Sequence, residues 1–321
     1  MKNAILGKRF WTSLLFVGLL SSTSPIWAQD NFYVVVAGKK AKRTVLVSPQ
    51  GTPAQNGTAL LSALEKITDA SETNPYLIII EPGIYDIGSS TFEMKSYVDV
   101  QGSGEDVTKI TGSVSTGSGD LERGVLEGAN NTELRFLTVE HAGGGMYANA
   151  ILNRGASPAL THVTAKVTGG TYARAIHNAA SSNAVMTHVT ASASGGYSCI
   201  SVRNDASSPT MTHVTATAFA ATNNKYGVYN TNSASPTMED VTLVAEAGGF
   251  SYGVYNSTST ARINHSSIKG STYAAYGGGT GCSYIYIANS MIDGPTGTTC
   301  VLTCAGVFDE NYVFYPSSCP P

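Results

Sequence analysis

The sequence predicts an all-β chain wound as a right-handed parallel β-helix, a solenoid with coils of about 25 residues and a capping helix at its N-terminal end. Three observations predict it. The first is repetition: "YANAILNRGASPALTHVTAKVTGG" is followed by "TYARAIHNAASSNAVMTHVTASASGG", "YSCISVRNDASSPTMTHVTATAFAATNN", "KYGVYNTNSASPTMEDVTLVAEAGGF" and a decayed fifth copy. The second is register. Asparagines end the first apolar run of each copy at Asn153, Asn178, Asn204, Asn230 and Asn256, in steps of 25 or 26, and Val163, Val189, Val214 and Val241 hold the second run. The third is alternation. In "LTHVTA" the apolar Leu160, Val163 and Ala165 interleave with Thr161 and Thr164, a strand pattern in strand-favouring residues. Such units cannot bury their faces alone. They must stack, with neighbouring coils roughly 4.8 Å apart.

Taken in order, residues 1–28 read as a secretory leader. Lys2, Lys8 and Arg9 form its charged start, "FWTSLLFVGLL" its apolar core and "SSTSPIWA" its small-residue exit. Residues 29–75 hold two strand-like runs, a basic cluster at Lys39, Lys40, Lys42 and Arg43, and a helix over "NGTALLSALEKITDAS". Leu60, Leu61, Leu64 and Ile67 share one face of that helix, and Thr58 is its expected cap. A solenoid has an open apolar end, and this helix is the expected lid. Residues 76–281 form the coils, about nine in all with the last one.

Within each coil the alternation slips by one residue, at Phe136, His162, His188, His213, Asp240, His265 and Asn289. A single residue between two strands is expected to bend through the left-handed region, which Asn, Asp and His tolerate best among non-glycine residues. Four of the six histidines are thus bend formers. A metal stripe is not expected, because Phe136, Asp240 and Asn289 share their register. Residues 282–321 form the last coil and a cysteine-rich cap. In an exported chain Cys282, Cys300, Cys304 and Cys319 read as two disulfides with three pairings open, and Cys199 as a buried free thiol.

The segments "LSALEKI", "NPYLIIIEPGIYDIG", "VDVQGSG" and "TKITG" together resemble the opening of the pectin-lyase-like right-handed β-helix families. The "SPTMTHVTA" and "GVYN" units and the ending "TCAGVFDENYVFYPSSCP" are similar to uncharacterised exported bacterial β-helix repeat proteins. The resemblance spans residues 34–321 and implies the fold. It implies no single activity, since that superfamily includes lyases, hydrolases, esterases and proteins without known catalysis.

Composition narrows the function. Charged residues are 13% of the chain, and removal of the leader takes away three basic residues and no acid, leaving a mildly acidic protein. That argues against a nucleic-acid partner, and no apolar run beyond the leader is long enough to span a membrane. Sugar-cleaving chemistry on this fold calls for acids, and Asp205 is the single carboxylate between His141 and Met238. The motifs that the resemblance would bring, "NTD", "GHG" and "RIK", "WIDH" or "GRPW", are absent. No catalytic residue, metal or cofactor is therefore expected.

One stripe stands out. The residue before each ladder asparagine is Leu152, His177, Arg203, Tyr229 or Tyr255. With Ile151, Ile176, Val202, Val228 and Val254 facing in, these face out. Rings and a forked donor in a column suit a sugar chain, so His177, Arg203, Tyr229 and Tyr255 are the candidate ligand residues. The resulting expectation is a secreted, periplasmic or cell-surface protein, non-catalytic, with extracellular polysaccharide as partner along one face. The alternative is a diverged pectin-lyase-like lyase, esterase or hydrolase, with Arg203 beside Asp205 as its one conceivable pair.

Overall fold

A computed structural model describes residues 32–34, 42–114, 122–246 and 248–321. The leader, Lys39 and Lys40 lie outside them. Each repeat copy makes one turn of a parallel β-solenoid, with about eight turns in total against the nine expected. The strand Tyr147–Arg154 pairs in parallel with Tyr172–Ala179, which pairs with Ser198–Asp205, then Asn224–Thr231, then Phe250–Ser257. These belong to a nine-stranded sheet. A second, 20-stranded sheet carries the rest of each coil, as in Ala159–Thr168 against Val185–Ser194.

The core is built from columns, because coil stacking places like positions over one another. Leu160, Met186, Met211 and Met238 form one column, and Ile151, Ile176, Val202, Val228 and Val254 another, all at 0% exposure. The asparagine ladder closes the same sheet. Asn153 Nδ2 donates to Asn178 Oδ1 at 2.9 Å, Asn178 to Asn204 at 2.9 Å, Asn204 to Asn230 at 2.8 Å and Asn230 to Asn256 at 2.8 Å. Each buried amide finds its partner in the next coil, which is why the residue type repeats with the period.

All seven expected bend residues have positive φ, from 47° at His265 to 55° at Phe136. Phe136, His162, His188 and His213 also stack, with ring centroids 5.3, 4.7 and 4.6 Å apart.

The helix spans Pro53–Glu65, earlier than expected, and its cap is Thr52 rather than Thr58. Thr52 and Gln55 form a reciprocal capping box, and Pro53 supplies the helical φ of the first turn. Thr58 instead donates to the Ala54 carbonyl. Leu60, Leu64 and Ile67 are buried against the first coils. A Cβ at Gly57 would stand 1.9 Å from the Asp86 carbonyl oxygen, so the helix backbone lies directly on the coil beneath it.

At the other end Val307–Asp309 turns back antiparallel against Phe314–Tyr315. The disulfides are Cys282–Cys300 and Cys304–Cys319, and Cys199 is free and buried. Two disulfides are consistent with an extracellular setting. Among the described residues no helix is long and apolar enough to cross a membrane.

Candidate ligand-binding site

The outward stripe exists as a register: Leu152, His177, Arg203, Tyr229 and Tyr255 are paired in succession. It continues to Tyr276 in one direction and to Glu127 and Glu93 in the other. The expectation that the whole stripe lies open fails at two positions. His177 is 4% exposed and Leu152 is 1% exposed. The segment 122–124 covers them. Asn149 Nδ2 donates to the Arg123 carbonyl at 3.0 Å, and a Cβ on Gly124 would lie 3.0 Å from the Leu152 nitrogen. Arg203, Tyr229 and Tyr255 are half-buried, with one side toward solvent.

A second outward register runs beside the first: Arg174, Ile200, Tyr226, Tyr252 and Tyr273. Simple alternation hides it. Ala175 and Ile176 both face the core at 0% exposure, so Arg174 and His177, three residues apart, emerge on the same side. The signal that could have found it was already present in the bend of the other sheet, where the phase slips by one residue.

Together the two registers build a cavity and a platform. The cavity, of about 440 Å³, is lined by Glu122, Tyr147, Arg154, Arg174, His177 and Arg203, with Asp205 and three alanines. Three guanidinium groups face two carboxylates there. Arg174 donates to Glu122 Oε2 at 2.6 Å, and Arg154 donates to the Glu122 carbonyl at 3.3 Å. Arg203 donates to Asp205 Oδ2 at 2.8 Å, and Asn232 donates to Asp205 Oδ1 at 2.6 Å. Asp205, the single carboxylate between His141 and Met238, shares the cavity with Glu122 from outside that stretch. Glu122 contacts Arg174 across 52 positions of sequence, and it precedes the periodic part of the chain, so no spacing pointed to it.

Burial sets the electrostatics of the cavity. It pushes the Glu122 carboxyl up, but the His177 contact and the charges of Arg174, His177 and Arg203 outweigh it and hold Glu122 below its ordinary value. Burial lowers His177 to about 4, helped by Arg174 and Arg203 and opposed by Glu122, so the imidazole is neutral at pH 7. Burial and the nearby Arg203 lower Arg174 to about 10, which leaves it charged. Among the described residues, the buried Arg174 Nε, Arg203 Nε and His177 Nε2 have no hydrogen-bond partner. Of these, the two guanidinium Nε groups are donors, and unmet donors in a basic cavity are what an anion would satisfy.

The platform adjoins the cavity through Arg203, whose guanidinium carbon lies 5.9 Å from the Tyr229 ring centre. Tyr226 and Tyr252 stack at 5.3 Å, and Tyr252 and Tyr273 at 6.1 Å. Tyr229 and Tyr255 meet edge to face at 5.3 Å, and Tyr255 and Tyr276 lie 5.6 Å apart. Among the described residues no group of three or more His, Cys, Asp or Glu could hold a metal ion.

No protein-family model matches the chain, and no curated protein matches it. Solved structures do resemble it. ORF18 of Geobacillus virus E2 is 10% identical over 82% of this chain and 60% of that one, with a TM-score of 0.48. The Dettilon tailspike protein is 11% identical over 82% and 61%, at 0.46. The A-module of the Azotobacter vinelandii mannuronan C-5 epimerase AlgE6 is 12% identical over 79% and 75%, at 0.38. The likeness is one of fold, the parallel β-helix. The chain spans less than two thirds of the virus protein and of the tailspike.

Proposed function

We propose that this protein is exported and binds an acidic polysaccharide along the outer face of its nine-stranded sheet, without cleaving it. The observation that carries the reading is the continuity of an arginine-lined cavity with a platform of six tyrosines on one face. Tyrosine rings offer apolar faces to sugar rings and hydroxyls to their edges. Guanidinium forks recognise carboxylates. Both carboxylates of the cavity are already engaged by arginine, and Glu122 is held ionised, whereas glycoside hydrolysis requires one protonated acid. A cleaving enzyme is the second reading, favoured by Glu122 and Asp205 lining one cavity.

An array of acidic and neutral oligosaccharides, followed by product analysis, tests both. The expected result is binding of acidic glycans with no shorter products. Each ring contact contributes about 1 kcal/mol, so Tyr229→Ala with Tyr255→Ala lowers affinity about tenfold or more. These rings stack on their neighbours, so the double variant also loses some stability, and circular dichroism must show it folded. Degradation that Asp205→Asn or Glu122→Gln abolishes would replace this reading by the enzymatic one.

A further inference from the structure

The stripe that carries the platform is not uniform along the solenoid axis. Read through the strand register it runs Glu93, Glu127, Leu152, His177, Arg203, Tyr229, Tyr255 and Tyr276. Acids occupy one end, the neutral His177 and the cation Arg203 the middle, and rings the other end.

Two features close the acidic side. The first is steric. Segment 122–124 crosses the outer face above Asn149 and Leu152, leaving both fully covered, and Glu122 reaches from it over two coils to Arg174. A sugar chain lying along the stripe meets this segment as a wall. The second is electrostatic. Beyond the wall Glu93 and Glu127 lie on adjacent strands and share one guanidinium, each 3.0 Å from the same nitrogen of Arg123. Two carboxylates against one cation leave this stretch repulsive to an acidic ligand.

The opposite side is open. Tyr276 is paired with Gly297, so the stripe position next to the last ring carries no side chain. From the His177 register to Tyr276 there are four coil steps, a track of roughly 19 Å at the spacing of paired strands.

We infer that the cavity binds the end of an acidic glycan, a terminal sugar whose carboxylate meets Arg203 and Arg174, while the following sugars lie over the tyrosines toward the C-terminal coils. The inference rests on the binding reading above and adds to it that chain ends, not chain interiors, are recognised. Arg203 and Arg174 both line the cavity, and among the described residues neither Nε has a hydrogen-bond partner, so their guanidinium charge is available to a terminal carboxylate. An internal sugar would have to send its neighbour through segment 122–124 and then past Glu127.

Calorimetric titration of the full chain with acidic oligosaccharides tests this. The probes are the trimer, hexamer and dodecamer of galacturonate, mannuronate and glucuronate, each beside a neutral oligosaccharide of equal length. The expected result is one protein bound per chain at every length, with affinity that rises as the platform fills and is then flat. Arg203→Gln should weaken the acidic ligands about tenfold or more and the neutral ones much less. A protein-to-chain ratio that grows with length overturns end recognition and leaves the binding reading standing. Equal affinity for neutral and acidic chains overturns the carboxylate assignment. Failure of every oligosaccharide to bind removes both the binding reading and this inference. The variant is folded if its thermal transition matches that of the parent chain. If it does not, the ratio measured on the parent chain alone decides.

Discussion

His177 is the residue whose environment separates a surface ladder from a site. In the folded chain its imidazole titrates near 4, against an ordinary value of 6.5. Between those values the unfolded chain binds the extra proton, so stability falls as pH is lowered across that window and the loss is complete below about 4. Glu122, Arg174 and Arg203 are the charged groups that act on the ring. Glu122, held below its ordinary 4.5, adds a second loss as pH falls through the acid range. The His177→Gln variant should therefore lose much less stability between pH 6.5 and pH 4, a difference on the order of 3 kcal/mol. Urea denaturation at a series of pH values measures it, and parallel curves for parent and variant would show that the imidazole is not held neutral. The sequence placed His177 in its register but not in its setting. Register comes from the repeat, whereas burial comes from Glu122 and Gly124, which belong to no repeat.

At the scale of one coil, the bend decides how much a substitution costs. His188 has φ 53° and stacks between His162 and His213. Asparagine accepts that backbone conformation and loses only the ring contacts, so His188→Asn should cost about 1 kcal/mol or less. A β-branched side chain does not accept it, and His188→Val should cost about 2 kcal/mol more. Thermal unfolding of the two variants ranks them; equal destabilisation would mean that backbone conformation is not what selects the residue. Zinc titration of the parent chain should show no micromolar site, because the rings are stacked face to face rather than turned toward a common point. This part of the fold was legible without coordinates, since a phase slip repeated seven times has one economical explanation. The helix start was not. Apolar spacing marked its inner face, but Thr52, Pro53 and Gln55 set its first turn from outside the apolar pattern.

For the whole molecule, stability passes from coil to coil, and the two ends are fastened differently. The N-terminal end lies under the helix, and the C-terminal end is tied by Cys282–Cys300 and Cys304–Cys319, closing loops of 18 and 15 residues. Loops of that length make each bridge contribute about 3 kcal/mol. Mass spectrometry of unreduced peptides should find these two bridges and a free Cys199. Reduction should then raise hydrogen exchange in residues 282–321 before it reaches the central coils, because unfolding of a stacked array starts at its loosened end. Uniform exchange along the chain after reduction would count against that order. Four clustered thiols were enough to expect two bridges, but their pairing depended on which strands the last turns bring side by side. The repeat has a further consequence. "KYGVYN" and "SYGVYN" are near copies, and each brings its own two rings to the platform at Tyr226, Tyr229, Tyr252 and Tyr255. Duplicating in frame one whole coil that carries such a stretch, 26 residues from Asn230 to Asn256, would lengthen the track by one step and leave the arginine cavity untouched. The protein is in that sense a ruler whose graduations can be copied, with its zero set where segment 122–124 crosses the sheet.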